Sequence, residues 1–324
     1  MPLLESIRLS KSIRAQPILQ DISFTLDEGE NLVISGVTGS GKSSLLKIIA
    51  GLMQADGGEA RFRGIRIPGP EEKLIAGHPS IAYLSQHFEL RNNYRVEELV
   101  DMANKKSPEN AARIIEICRI GHLLSRRTDQ LSGGEKQRIA TARLLMGEPE
   151  LFLLDEPYSN LDPAHRQVMK DMIRDISQEE NITCILVSHD PSDTLPWADR
   201  MLVLRNGEFV QEGSPEKIYR EPRDEYVAGL LGPYHLLPSA EAFGTGLIVQ
   251  AAINDTLIAR PEDFRVTEAG QGAPATVRDI RFAGPFYQVY VRWQNTDITI
   301  LSQQHPTWQP GDTVYLRLKP GLDT

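Results

Sequence analysis

Gly36-Val37-Thr38-Gly39-Ser40-Gly41-Lys42-Ser43 is the stretch on which the reading of this chain turns. An apolar run, Leu32 to Ile34, leads into it, and Leu45, Leu46, Ile48, Ile49, Leu52 and Met53 follow at helical spacing, with Gly51 near that helix's end. Strand, glycine turn and helix form the context in which this pattern is a phosphate loop. The glycines let the backbone curl so that several N–H groups point at phosphate oxygens. The helix presents its positive end to the same anion. Candidate phosphate contacts are Gly36, Gly39, Ser40, Gly41, Lys42, Ser43 and Ser44. Lys42 can reach the β- and γ-phosphates, and Ser43 can offer its hydroxyl to Mg²⁺. Alone, the loop says only nucleoside triphosphate.

A second stretch narrows this. Leu151-Phe152-Leu153-Leu154-Asp155-Glu156 is a buried strand with two carboxylates emerging at its end. On its own that is a common way for a strand to meet water. Beside a phosphate loop, Asp155 is placed to hold Mg²⁺, and Glu156 to polarise an attacking water as general base.

A third stretch has no place in a general phosphate-loop enzyme. Leu131-Ser132-Gly133-Gly134-Glu135-Lys136-Gln137-Arg138 opens a helix, with Ser132 and Glu135 spaced as a capping box. Read locally it is a well-capped helix. Ser132 and two glycines also expose N–H groups at a helix N-terminus, which is a ready anion site. One chain then carries two phosphate-binding helix starts, and a head-to-tail dimer can set each against the other's ATP.

The rest of the first two-thirds alternates strand and helix patterns, as an α/β layer fold does. Ile22, Phe24 and Leu26 alternate with polar residues, while Ile81 to Leu84 and Cys184 to Val187 are continuous apolar runs suited to a sheet covered on both faces. From Phe88 to Gln130 the pattern turns helical, with Ser107-Pro108 as a helix start and Ala111, Ile114, Ile115 and Cys118 as its apolar face. After about residue 233 short strands take over: Leu247 to Val249, Leu257 to Ala259, Val277 to Phe282, Tyr287 to Trp293, Ile298 to Leu301 and Val314 to Leu318. Gly284-Pro285, Gln294-Asn295 and Pro310-Gly311 punctuate them, which suggests a small β-barrel.

Composition sets the outer limits. The chain has 324 residues, 40% hydrophobic and 24% charged, with a formal net charge of −9. That balance argues against a general nucleic-acid binder. Cys118 and Cys184 sit in unrelated contexts and read as small buried hydrophobes. The N-terminus, with Glu5 and Arg8, lacks a signal-peptide core. No stretch approaches 18 uninterrupted apolar residues, so no spanning helix is expected; any membrane role is peripheral.

In motif and order the chain resembles the nucleotide-binding subunit of ATP-binding cassette (ABC) transporters. Leu131 to Arg138 matches that family's signature. Gln86, after the strand Ile81 to Leu84, resembles its Q-loop glutamine, Ser159-Asn160-Leu161-Asp162 its D-loop, and His189, after Cys184 to Ser188, its switch histidine. The match covers roughly residues 3 to 230. It implies an ATPase in which two subunits close around two ATP molecules. Lys42, Ser43, Gln86, Asp155, Glu156 and His189 of one would face Ser132, Gly134 and Asp162 of the other. Gln86 would join Ser43 and Asp155 around Mg²⁺, and His189 would contact the γ-phosphate. Gln86 and the helical insertion would meet the membrane permease partner. The family usually places an aromatic residue early in the chain to stack on adenine; here that position falls near Ile13, with Arg14 adjacent as a possible stacking guanidinium.

From about residue 235 the chain resembles the TOBE-like, OB-like β-domain of a subset of importer ATPases. Arg260-Pro261-Glu262-Asp263, Gly284-Pro285, Glu221-Pro222 and Gly232-Pro233 to Leu237 carry this looser likeness. It implies dimer contact or regulation, in relatives that move sugars, polyamines, metal ions or oxyanions. Phe286, Tyr287, Tyr290, Trp293 and Trp308 read as core rather than as a nucleic-acid platform, with Asp279, Asp297 and Asp312 nearby.

The expected organisation is therefore an α/β P-loop cassette over 1–233, with a helical subdomain at about 88–148, followed by a β-barrel domain over 234–324. The expected function is a homodimeric, transport-coupled ATPase at the cytoplasmic face of the inner membrane. It works with integral permease subunits, and a solute-binding protein completes the complex. Two other readings stand beside it. A soluble ABC ATPase acting on nucleic acid or ribosomes often carries two cassettes or long coiled-coil insertions; this chain has one cassette. A regulatory module that binds ATP but hydrolyses little would not need both Glu156 and His189.

Overall fold

The structure, a computed structural model, describes residues 1–86, 90–248 and 255–319. The chain divides into two compact units, Met1–Arg223 and Asp224–Thr324.

In the first unit, β1 (Leu4–Ile13) and β2 (Gln16–Leu26) form an antiparallel hairpin, and β3 (Asn31–Ser35) runs into the glycine loop and α1 (Lys42–Ile49). Then come β4 (Gly57–Phe62), β5 (Ile65–Arg66) and β6 (Ile81–Leu84). A helical region follows, with α2 (Val96–Asp101), α3 (Pro108–Ile117) and α4 (Gly133–Leu145). The chain returns to the layered region through β7 (Leu151–Asp155), α5 (Pro163–Glu179), β8 (Thr183–Val187), α6 (Pro191–Thr194), β9 (Arg200–Arg205), β10 (Glu208–Gly213) and α7 (Pro215–Arg220).

Among the described residues the main sheet runs β10-β9-β3-β8-β7-β6, parallel except for β10, and a second sheet runs β2-β1-β4-β5. β7 and β8 are buried along their whole length, which is why they are unbroken apolar runs rather than alternating ones. Leu32, Ile34, Leu45, Leu46, Ile49, Leu153, Ile185 and Leu202 share one core, so the apolar stripe of α1 clamps the helix onto the sheet. The carboxyl ends of β3, β8, β7 and β6 lie side by side, the edge where parallel α/β sheets bind ligands. Ser107 caps α3 by accepting the Asn110 N–H, as its Ser-Pro start predicts.

In the second unit, α8 (Glu225–Leu231), β11 (His235–Pro238), α9 (Ser239–Gly244) and β12 (Thr256–Ala259) precede β13 (Phe264–Thr267), β14 (Ala273–Phe282), β15 (Tyr287–Trp293), β16 (Thr296–Ser302) and β17 (Thr313–Leu318). The last five form one antiparallel sheet, β13-β17-β14-β15-β16. Trp293, Val289, Val291, Ile298, Ile300 and Leu316 fill its core, as their alternation requires.

Two expectations differ from what is observed. The contact break falls at Arg223/Asp224, ahead of 233/234, because buried Arg260 donates to the carbonyls of Ala228 and Pro233 and so holds α8 within the second unit. Leu247 and Ile248 are buried but not strand: their N–H groups turn back to the Ala242 carbonyl behind α9. Val249 lies outside the described residues, as does Phe88.

Candidate nucleotide site

The glycine loop is shaped by close backbone approach. A Cβ on Gly36 would lie 2.3 Å from the Leu204 carbonyl oxygen, and one on Gly41 would lie 2.6 Å from that of Ile18, so neither position has room for a side chain. Gly41 also has φ +108, a region glycine enters without the steric penalty of a Cβ. Lys42 is buried, and its ammonium donates to the carbonyls of Gly36 (2.7 Å) and Val37 (2.8 Å). Burial holds its pKa below the ordinary lysine value, while the nearby Glu156 and Asp155 carboxylates oppose that shift. The loop thus folds around its own lysine, in place for an anion.

Two further pairs converge from neighbouring strands. Ser43 Oγ donates to Asp155 Oδ1 at 2.9 Å, and the Tyr83 hydroxyl donates to Asp155 Oδ2 at 2.8 Å. Each oxygen of one carboxylate is therefore oriented separately. Burial and the Asp155 charge push the Tyr83 phenol well above its usual range, so it stays a donor. Glu156 begins the loop after β7 with φ +51, a strained conformation for a non-glycine residue, and its Oε1 meets His189 Nδ1 at 2.8 Å. His189 is largely exposed, whereas the Glu156 side chain is mostly covered.

A recess of about 300 Å³ collects these groups. Thr38, Gly39, Gly41, Lys42, Ser43, Ser44, Gln86, Glu156 and His189 line it, and Ile13 and Ile18 supply an apolar patch. Gln86, Glu156 and His189, each just beyond the end of a strand, line the same recess as the phosphate loop. Gly36, Ser40 and Asp155 stand behind the lining and shape it. Arg14 is not among the lining side chains; it sits at the tip of the β1–β2 hairpin with φ +50.

Ser132, Gly134 and Asp162 do not line this recess. Ser132 caps α4 in the expected box: it accepts the Glu135 N–H at 3.3 Å, and its own N–H donates to Glu135 Oε2 at 2.8 Å. Asp162 caps α5 by accepting the Ala164 and His165 N–H groups, both at 3.0 Å, and its Oδ2 meets His165 Nδ1 at 2.6 Å. The His165 ring lies against Gly134, where a Cβ would come within 2.8 Å of it. The two helix starts are therefore neighbours, apart from the recess.

Comparisons with known proteins fit this geometry. The family model described as ABC transporter matches residues 19–159, and the TOBE domain model matches 257–321. An Fe(3+) ions import ATP-binding protein FbpC 1 of Rhodococcus jostii (strain RHA1) is 33% identical over 97% of this chain and 96% of its own length. The chain belongs to the ABC transporter family. A sulfate/thiosulfate import ATP-binding protein CysA of Yersinia pestis is 30% identical over 92% of this ABC ATPase and 88% of its own length. Among solved structures, cbiO1 from Clostridium perfringens, part of the ABC transporter complex cbiONQ, superposes with a TM-score of 0.60. It is 27% identical, over 68% of this chain and 91% of its own. A nucleotide-free ATP-binding cassette from an ABC transporter gives 0.61 at 25% identity, over 71% and 98%. This ABC ATPase binds and hydrolyses ATP and carries a TOBE domain.

Two residues of the site were missed in the sequence. Tyr83 reads there as one apolar member of a buried strand, and nothing local marks its hydroxyl. Gln137 had a signal, a polar residue on the inward stripe of α4. It is buried, and its Nε2 donates to the Pro157 carbonyl at 2.5 Å, tying the helix that starts at Ser132 to the segment after Glu156.

Proposed function

We propose that this ABC ATPase drives solute import as a homodimer, with each ATP held between the phosphate loop of one copy and the Ser132–Gly134 helix start of the other. The observation that carries the reading is the separation within one chain. Lys42, Ser43, Gln86, Glu156 and His189 share a recess that neither Ser132, Gly134 nor Asp162 reaches. A recess of about 300 Å³ is at the small end for a ligand site, as expected of half a site.

Within it, Lys42 and the loop N–H groups hold the β- and γ-phosphates. Glu156 accepts a proton from the attacking water, and His189, bonded to that carboxylate, keeps it aimed and reaches the γ-phosphate. Ser132 and Gly134 of the partner complete the anion site from the opposite side, and the partner's Asp162 stands beside them as the cap of α5. The donor set also suits Mg²⁺. Ser43 Oγ and Asp155 Oδ1 are hard oxygens 2.9 Å apart, and Gln86 lines the same recess as Ser43. When bound there, the ion would supply positive charge to the phosphate oxygens.

The partners follow from the reading: integral permease subunits, with a solute-binding protein in the full complex, and residence at the cytoplasmic face of the membrane. No helix among the described residues is long and apolar enough to cross a membrane. The relatives' names favour a metal ion or an oxyanion as solute over a sugar or polyamine.

The test is Glu156→Gln. It should keep ATP binding, lose turnover and accumulate an ATP-bound dimer in sedimentation. Normal turnover in that variant would remove Glu156 as the base.

A further inference from the structure

The two residues beside His189 are both fastened to one side chain on another element. Arg166 lies on α5, and its backbone N–H bonds the Asp162 carbonyl at 2.9 Å. Its Nη2 donates to Asp190 Oδ2. Its Nε and Nη2 also form a two-pronged pair with Asp193, at 3.0 and 2.6 Å. Asp193 is almost fully buried, and it accepts from Ser188 Oγ at 3.2 Å. Ser188 Oγ in turn accepts the Asp190 N–H at 3.2 Å. Arg166 therefore reaches Asp190 directly and Ser188 through Asp193, bracketing His189 on both sides.

We infer that Arg166 is a positioning residue for His189. This rests on the proposed role of His189 at the γ-phosphate. The histidine ring is largely exposed, and its Nδ1 meets Glu156 Oε1. A ring that exposed depends on its backbone for its aim. A planar guanidinium spanning two carboxylates fixes both distance and angle, which a single ammonium does not. Lys170, whose Nζ is 2.9 Å from Asp193 Oδ1, supports the charge of that carboxylate without touching Asp190. Asp162 caps the same helix, so the helix start that would face the partner's ATP also carries the side chain that braces the histidine facing this chain's own.

The test is a double-mutant cycle in the full chain, using Arg166→Ala, His189→Ala and the combination, read by single-turnover ATP hydrolysis, steady-state kcat and KM, and ATP affinity. Lys170 and Ser188 still partner Asp193 when Arg166 is lost, so its buried charge is not orphaned. Arg166→Ala should lower kcat by about tenfold to a hundredfold, the scale of an ångström of misplacement, with ATP affinity unchanged. Added to His189→Ala it should cost nothing further, because both changes remove one function. Arg166→Lys should recover part of the loss, and it carries the same cycle if the alanine variant does not fold. Arg174→Ala, an exposed side chain on the same helix paired with half-buried Asp171 and Asp175, should match the parent. Normal kcat in Arg166→Ala, or losses that multiply in the combined variant, would overturn the inference while leaving the site intact. Normal turnover in His189→Ala would instead bring down the role of the histidine, and this inference with it.

Discussion

Replacing Gly36 with alanine gives the sharpest check on how tightly the phosphate loop is built. The new Cβ would sit 2.3 Å from the Leu204 carbonyl oxygen and 2.8 Å from Ser40 Oγ. Ordinary contact begins near 3.4 Å, so loop and β9 must separate by about 1.1 Å. Leu204 is fully buried in the sheet core, which leaves the loop as the part that moves. Two consequences follow. Overpacking of this kind costs about 1–3 kcal/mol, or roughly 2–4 °C in Tm per kcal/mol for a domain of this size. Shifting the loop by an ångström also moves the carbonyls that hold Lys42, and misplacement on that scale costs about a hundredfold in rate. The assay is steady-state ATP hydrolysis beside thermal unfolding, with Gly133→Ala as the comparison. A Cβ on Gly133 meets nothing within 4 Å, so that change should leave the Tm of the isolated chain level or slightly raised. Parental kcat/KM and Tm in Gly36→Ala would refute the argument, because the loop would then have slack that its contacts deny.

Tyr83→Phe removes one of the two donors that orient Asp155. The Mg²⁺ concentration for half-maximal activity should rise about tenfold or more, the usual cost of losing a supporting bond to a metal ligand, with little change in Tm; an unchanged Mg²⁺ titration contradicts it. Gln137→Ala strands the buried Pro157 carbonyl and should cost about 1–3 kcal/mol in urea unfolding, with no loss if that oxygen finds water instead. His235 offers a pH test in the second unit. Burial holds its pKa below the ordinary 6.5, and its Nε2 accepts the Thr299 N–H at 3.0 Å, which occupies the lone pair a proton needs. Its contribution should be present above pH 6.5 and decline as pH falls through the folded-state value, because the unfolded chain binds the proton more readily. Thermal unfolding from pH 7.5 to 5 should show that decline flattened in His235→Gln, and equal slopes would contradict it.

Much of the site was legible because its motifs are local. Gly36 to Ser43, Asp155-Glu156 and the Ser132–Glu135 capping box each declare their geometry within a few residues. β3, β7 and β8 read clearly because strands buried on both faces cannot afford polar residues. What could not be read was whatever depends on partners far along the chain. Tyr83 gains its role only when β6 and β7 pair, and Arg166 only when α5 lies beside α6. β1 and β4 were overlooked because Ser6, Arg8, Ser10 and Glu59 break their apolar pattern. The boundary at Arg223 escaped for a similar reason: Arg260 ties α8 to the second unit from far downstream. Leu247 and Ile248 show the reverse error, since an apolar pair can anchor a core from a turn as well as from a strand.

The most direct measurement of the shared-site account is ATPase activity per subunit as the full chain is diluted, with sedimentation tracking association at each concentration in ATP. Specific activity should fall toward zero in step with the loss of dimer and recover on reconcentration. Undiminished turnover per subunit, in a sample that sediments wholly as monomer, would show that a single copy completes the chemistry alone.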